Sequence, residues 1–180
     1  SIRHQLISSH YRGELNFTRD GLKASAAAVQ RMLDFEARLD AAVVDDAAEA
    51  SKLPELAESA RGSFQSAMDN DFNSADAMAA IFVLIGGVNA ELDTRGAVSS
   101  SDRDAVVVVL RSMDEVLGLL EVAHASRSVD DEMAAYVEQK IQERADARAK
   151  KDFATSDAIR DELAEKDIVL EDGADGTRWK

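Results

Sequence analysis

Apolar residues recur every three to four positions along most of the chain and alternate with polar ones only near its end. That change of period predicts a helical protein closed by a short strand pair. Side chains share a helix face at i, i+3 and i+4, but share a strand face at i, i+2. Ile2, Leu6 and Ile7 begin a first helical segment, which Gly13 breaks. Thr18 is placed to cap a second helix over 19–43, with Leu22, Ala26, Val29, Leu33 and Leu39 on its inner face. The polar stretch DDAAEASK (45–52) reads as a linker. Pro54 suits the first turn of a third helix bearing Leu56, Ala60, Phe64 and Met68.

MDNDFNSADAM then interrupts the pattern. Asn73 or Ser74 can cap a fourth helix running to about Leu92, with Asp76 in its positive first turn. This helix is apolar nearly all round, so it is expected to be the most buried one, and its Gly86–Gly87 pair predicts close helix packing. Ser101 with Asp104 reads as a capping box opening a fifth helix through Leu110, Met113, Val116, Leu117 and Leu120, although Val106–Val109 alone would suit a strand. AHASRSVDD (123–131) is expected as a linker. A helix over 130–151 follows, with Met133, Val137 and Ile141 inward, and then a shorter one over 156–165. DIVLED alternates with period two, DGADG is turn material, and TRWK returns as a partner strand. The expected fold class is mainly α: an antiparallel helical bundle followed by a small α+β unit with a β-hairpin. The expected boundaries are 1–18, 19–125 and 126–180.

Composition narrows the function classes. The formal charge of -14 argues against non-specific affinity for DNA or an anionic membrane, since the summed field repels both. With no cysteine, disulfides and Cys-based zinc sites are impossible, and a reducing, cytosolic setting fits. The longest apolar run, 77–88, is expected to be too short to span a membrane. The chain opens on Ser and enters a helix-like pattern at once, which leads us to expect a piece of a longer chain. His4, His10 and His124 have no paired metal-ligand spacing, and no glycine-rich phosphate loop is present, so the residues point to no catalytic site.

One short stretch departs from the acidic average. Lys140, Arg144, Arg148 and Lys151 recur at four, four and three residues, Lys150 adds a further charge, and only Glu143 and Asp146 oppose them. A basic helix face can track phosphates; an ordinary solvated face laced with ion pairs explains the same spacing. Asp157 and Arg160 follow, three residues apart. A carboxylate can accept the paired N–H groups of an unpaired guanine, and a guanidinium can stack on bases or hold phosphate. Phe153 and Trp179 can supply stacking surfaces, or pack with Ile159, Leu163 and Val169 as a miniature core.

Three stretches carry a family resemblance. HYRGELNFT, MDNDFNSADAMAAIFVLIGGVN and ERADARAKKDFATSDAIRDELAEKDIVLEDGADGTRWK resemble successive landmarks of bacterial cysteinyl-tRNA synthetases. The resemblance extends over essentially the whole chain. It implies the end of the catalytic core's connecting region, then the helical bundle, then the anticodon-binding domain of a class I synthetase that joins cysteine to its tRNA with ATP. It implies that Arg148, Asp157, Arg160, Asp172 and Trp179 meet the GCA anticodon. Lys140, Arg144, Lys150 and Lys151 stand as phosphate contacts, and Phe153 as a stacking surface where the family often has Trp. The family also usually has Gly where Asp167 stands, so Asp167 is expected to close the preceding helix. The family's HIGH and KMSKS motifs and its zinc ligands lie outside this segment. Cofactors are therefore expected in the complete enzyme only, as ATP, magnesium and zinc. The expected partner is cysteine tRNA, with no DNA and no membrane, bound by a cytoplasmic monomer. The alternative is an acidic helical scaffold without RNA binding. It draws on the acid excess and the Ala-rich bundle. On the RNA-binding reading the acid is concentrated in the bundle, with twelve Lys/Arg against twenty-three Asp/Glu over 1–136, and nine against twelve over 137–180.

Overall fold

Each of the long helices begins where a side chain answers an amide that the helix itself leaves unpaired. The computed structural model describes residues 1–166, 168–173 and 176–179, leaving aside the side chains of Asp130, Asp172 and Arg178. Helix α1 (Ile2–Ile7) is short; α2 (Arg19–Asp40) starts where Thr18 Oγ1 accepts the Gly21 N–H at 3.0 Å. It stops three residues before the expected 43, and Val44 instead forms a parallel bridge with Val98. Helix α3 (Leu53–Asp69) carries Pro54 in its first turn, and α4 (Ser74–Thr94) begins where Asn73 Oδ1 accepts the Asp76 N–H at 3.2 Å.

The cap of α5 (Ser100–Leu117) corrects the expected capping box. Ser99, and not Ser101, accepts the Asp102 N–H at 3.1 Å. Asp102 is turned to another use: its Oδ2 accepts from the Ser51 backbone N–H at 2.9 Å and the Ser51 hydroxyl at 2.7 Å. Those two bonds, led by the hydroxyl, hold the Asp102 carboxyl below its ordinary pKa. Arg95 adds bonds to the carbonyls of Glu49 and Ala50 at 3.0 and 2.9 Å. The polar stretch 45–52 is thus pinned at several points.

The larger correction concerns 123–131. No break occurs there: α6 runs without interruption over Leu119–Ala149. Gly118, with φ 61°, ends α5 in the left-handed conformation that glycine adopts without strain. The buried Asp114 carboxylate then receives the N–H groups of Leu119, Leu120 and Glu121 at 2.8, 2.9 and 3.0 Å. One carboxylate therefore answers three of the four unpaired amides of the new helix. Helix α7 (Phe153–Ala164) and two four-residue antiparallel strands, β1 (Leu170–Gly173) and β2 (Gly176–Trp179), complete the described elements. Their register pairs Leu170 with Trp179 and Asp172 with Thr177. Asp167 lies outside the described residues.

The chain separates into two compact units, Ser1–Ala123 and His124–Lys180. In the first, α2, α3, α4 and α5 enclose a core of Met32, Phe35, Leu53, Ile81, Leu84 and Met113, among others. Helix α4 is the one described helix long and apolar enough to cross a membrane, longer than the 77–88 run suggests. Ala77, Met78, Ile81, Leu84, Ile85 and Val88 are nevertheless buried within that core, as in the central helix of a bundle. Gly87 permits the packing: a Cβ there would meet Leu56 Cδ2 at 3.0 Å, whereas Gly86 faces open space. The second unit holds its own core of Val137, Ile159, Leu163 and Ile168, bordered by Tyr136, Ile141 and Leu170. Met133, expected inward, is exposed.

Candidate nucleic-acid interface

The corner between α6 and α7 organises the polar surface of the second unit. Lys151 adopts φ 60°, and its N–H donates to Arg148 O at 3.0 Å while the Asp152 N–H reaches back to Ala147 O at 2.9 Å. This bond pair closes a helix through one left-handed residue, a place where glycine is usual. Here a lysine takes it. Asp152 then caps α7, accepting the Thr155 N–H at 3.1 Å and its hydroxyl at 2.7 Å, which holds the Asp152 carboxyl below its ordinary pKa. Arg148, Lys150, Lys151 and Phe153 all surround this corner and are exposed, Phe153 by 61%. Phe153 therefore takes no part in the miniature core.

On α7, Ser156, Ile159 and Leu163 face inward at i, i+3 and i+7. That spacing turns Asp157 and Arg160 outward. Their side chains are each more than half exposed, with Arg160 Nη2 3.8 Å from Asp157 Oδ1 and Arg160 Nε 4.0 Å from Asp161 Oδ1. Contacts this long between solvated groups hold neither side chain firmly. Both can exchange their partner for a ligand's donors and acceptors.

The expected basic stripe does not form one exposed face. Arg144 is buried, 7% exposed, on the side of α6 that carries Val137 and Ala147. Lys140 stands 3.0 Å from Glu162 and 3.5 Å from Glu143, and its pKa is raised, first by the bond to Glu162. Helical spacing alone is blind to tertiary packing, which sets Glu162 of α7 against Lys140 and buries Arg144. Of the stripe, Arg148, Lys150 and Lys151 at the corner are the exposed members. Asp172 has its backbone in β1, but its side chain lies outside the described residues. Trp179, in β2 opposite Leu170, is 39% exposed, and Val169 is exposed as well.

Two features escaped the sequence reading. Tyr136 lies between the ammonium groups of Lys140 and Lys166, 5.8 and 5.6 Å from its ring centroid, and donates its hydroxyl to Glu162. Nothing in its spacing marks it. The Asp152 cap was legible as Asp followed three residues later by Thr, before the apolar period of α7. Among the described residues, no group of three or more His, Cys, Asp or Glu is placed to hold a metal ion.

Comparison with known proteins gives these units relatives. Residues 63–121 match the model of the DALR domain, and residues 130–179 match the cysteinyl-tRNA ligase anticodon binding domain. The whole chain is 38% identical to the cysteine–tRNA ligase of Klebsiella pneumoniae, and 36% identical to those of Idiomarina loihiensis and Escherichia coli. In each case it spans 37% of the relative's length. Over its whole length the chain is similar to cysteine–tRNA ligases, and over residues 130–179 to their anticodon binding domain.

Proposed function

We propose that this chain is the tRNA-binding portion of a cysteine–tRNA ligase, and that its second unit reads the GCA anticodon of cysteine tRNA. The observation that carries the reading is the outward-facing Asp157–Arg160 pair on α7, set beside the exposed Phe153 and Lys151 within the stretch that matches an anticodon-binding domain. Asp157 accepts from the Watson–Crick edge of a guanine, and Arg160 stacks on a base or holds a phosphate. Phe153 offers a stacking face, and Arg148, Lys150 and Lys151 hold the backbone. Asp172 and Trp179 belong to the same proposed interface by their place in β1 and β2. Lys140 and Arg144 support the unit from within.

In this reading residues 1–18 end the connecting region of the catalytic core, 19–125 form the bundle that positions the reader, and 126–180 form the reader. ATP, magnesium and zinc act elsewhere in the complete enzyme, a cytoplasmic monomer. The test is binding of a GCA stem–loop. Arg160→Ala and Asp157→Ala each weaken it by about 1–3 kcal/mol, while Lys151→Ala weakens every RNA alike and lowers the salt slope by about one. Variants that bind as the parent does contradict the reading.

A further inference from the structure

Helix α7 is 12 residues long, and its apolar anchors in the core of the second unit are Ile159 and Leu163. Apolar contact is non-directional, so two anchors one turn apart resist rolling of the helix weakly. A helix with its side chains is about 10–12 Å across, so a roll of about 20° carries an exposed head group through about 2 Å. A binding constellation tolerates only about 0.5 Å and 10–20° of error. Packing alone therefore leaves the aim of Asp157 and Arg160 loose. Their own contact, at 3.8 Å, does not fix it either.

Directional bonds supply what packing lacks, and they stand on another face of α7. Glu162 lies five residues after Asp157 and two after Arg160, which turns it away from the face those two share. One of its carboxylate oxygens accepts the Tyr136 hydroxyl, and the other holds Lys140 at 3.0 Å. Lys166, just past the end of α7, sets its ammonium 5.6 Å from the centroid of the Tyr136 ring, and its N–H donates to Leu163 O at 3.0 Å. Tyr136 thus meets α7 at Glu162 and again beyond its last turn, and two such points fix roll and tilt together. The bonds to the Glu162 carboxylate are charge-assisted, and the Lys140 side chain is only 21% exposed, so water competes less here than at an open ion pair.

We propose that Tyr136, Glu162 and Lys140 are positioning residues for base reading: their lock sets the roll of α7 on α6, and that roll decides how sharply Asp157 and Arg160 tell one loop sequence from another. The inference rests on the anticodon reading above and deepens it with three residues that meet no RNA themselves.

The experiment applies two readouts to the 180-residue chain and to its Tyr136→Phe and Glu162→Gln variants. Residual dipolar couplings of the backbone amides, recorded without RNA, give the orientation of α7 against α6. Dissociation constants for a GCA stem–loop and for a scrambled loop give the discrimination ratio. Each substitution is expected to turn α7 by at least about 10°. Each is also expected to lower the ratio at least about threefold, the scale of one weakened hydrogen bond. Tyr136→Phe leaves the net charge unchanged, so a general change in RNA affinity cannot imitate the effect. A role in stability alone weakens both loops alike with the ratio and the orientation unchanged, and overturns the proposal. A turned α7 with an unchanged ratio overturns it as well. A parent chain with no preference for the GCA loop contradicts the anticodon reading and takes this inference with it; that failure shows in the parent before any substitution is made.

Discussion

The Tyr136 hydroxyl on α6 donates to Glu162 Oε1 on α7 at 2.5 Å, and the other oxygen of that carboxylate holds Lys140 at 3.0 Å. These bonds, Tyr136 first and Lys140 second, keep the Glu162 carboxyl below the usual range for glutamate. A carboxylate with a depressed folded-state pKa contributes stability above its unfolded value, about 4.3, and loses that contribution as pH falls through the folded value. Glu162→Gln therefore lowers the urea midpoint at neutral pH, and the gap from the parent closes below about pH 4. A gap of constant size across that range contradicts this pairing.

The two glycines of α4 should respond in opposite ways. Gly86 faces open space, so Gly86→Ala stabilises the first unit by about 0.5–1 kcal/mol through helix propensity. Gly87 lies against Leu56, so Gly87→Val destabilises it by about 1–3 kcal/mol through overpacking. Denaturant unfolding of both variants measures the difference.

Lys151 combines a strained backbone with an exposed charge. Lys151→Gly removes the left-handed penalty and is expected to stabilise the second unit by about 0.5–1 kcal/mol, net of glycine's greater freedom when unfolded. The same change weakens RNA binding. A variant that is both more stable and a poorer binder separates the functional use of this lysine from a structural one.

Local signals were the readable ones. Thr18, Asn73 and Pro54 act at helix starts through bonds or dihedral angles only a few residues long, so spacing alone reveals them. Helix α6 was hidden because its start depends on the buried Asp114 carboxylate, while the polar run 123–131 resembles a linker by composition. No Pro or Gly lies within 119–149, and that was the available sign that the helix continues. The basic stripe misled for a different reason. A helical wheel groups Lys140 and Arg144 with Arg148, but only tertiary packing decides which of them are buried or paired. Asp157 and Arg160 were correctly read as neighbours on one helix face, and their exposure follows from the inward period of Ser156, Ile159 and Leu163.

The most direct test of the proposed reader is the dissociation constant of this 180-residue chain for a GCA anticodon stem–loop against one of equal length with a scrambled loop, both at about 0.15 M salt. Anticodon reading predicts at least about tenfold tighter binding of the GCA loop, equivalent to about 1.4 kcal/mol. Equal affinity for the two loops would contradict it.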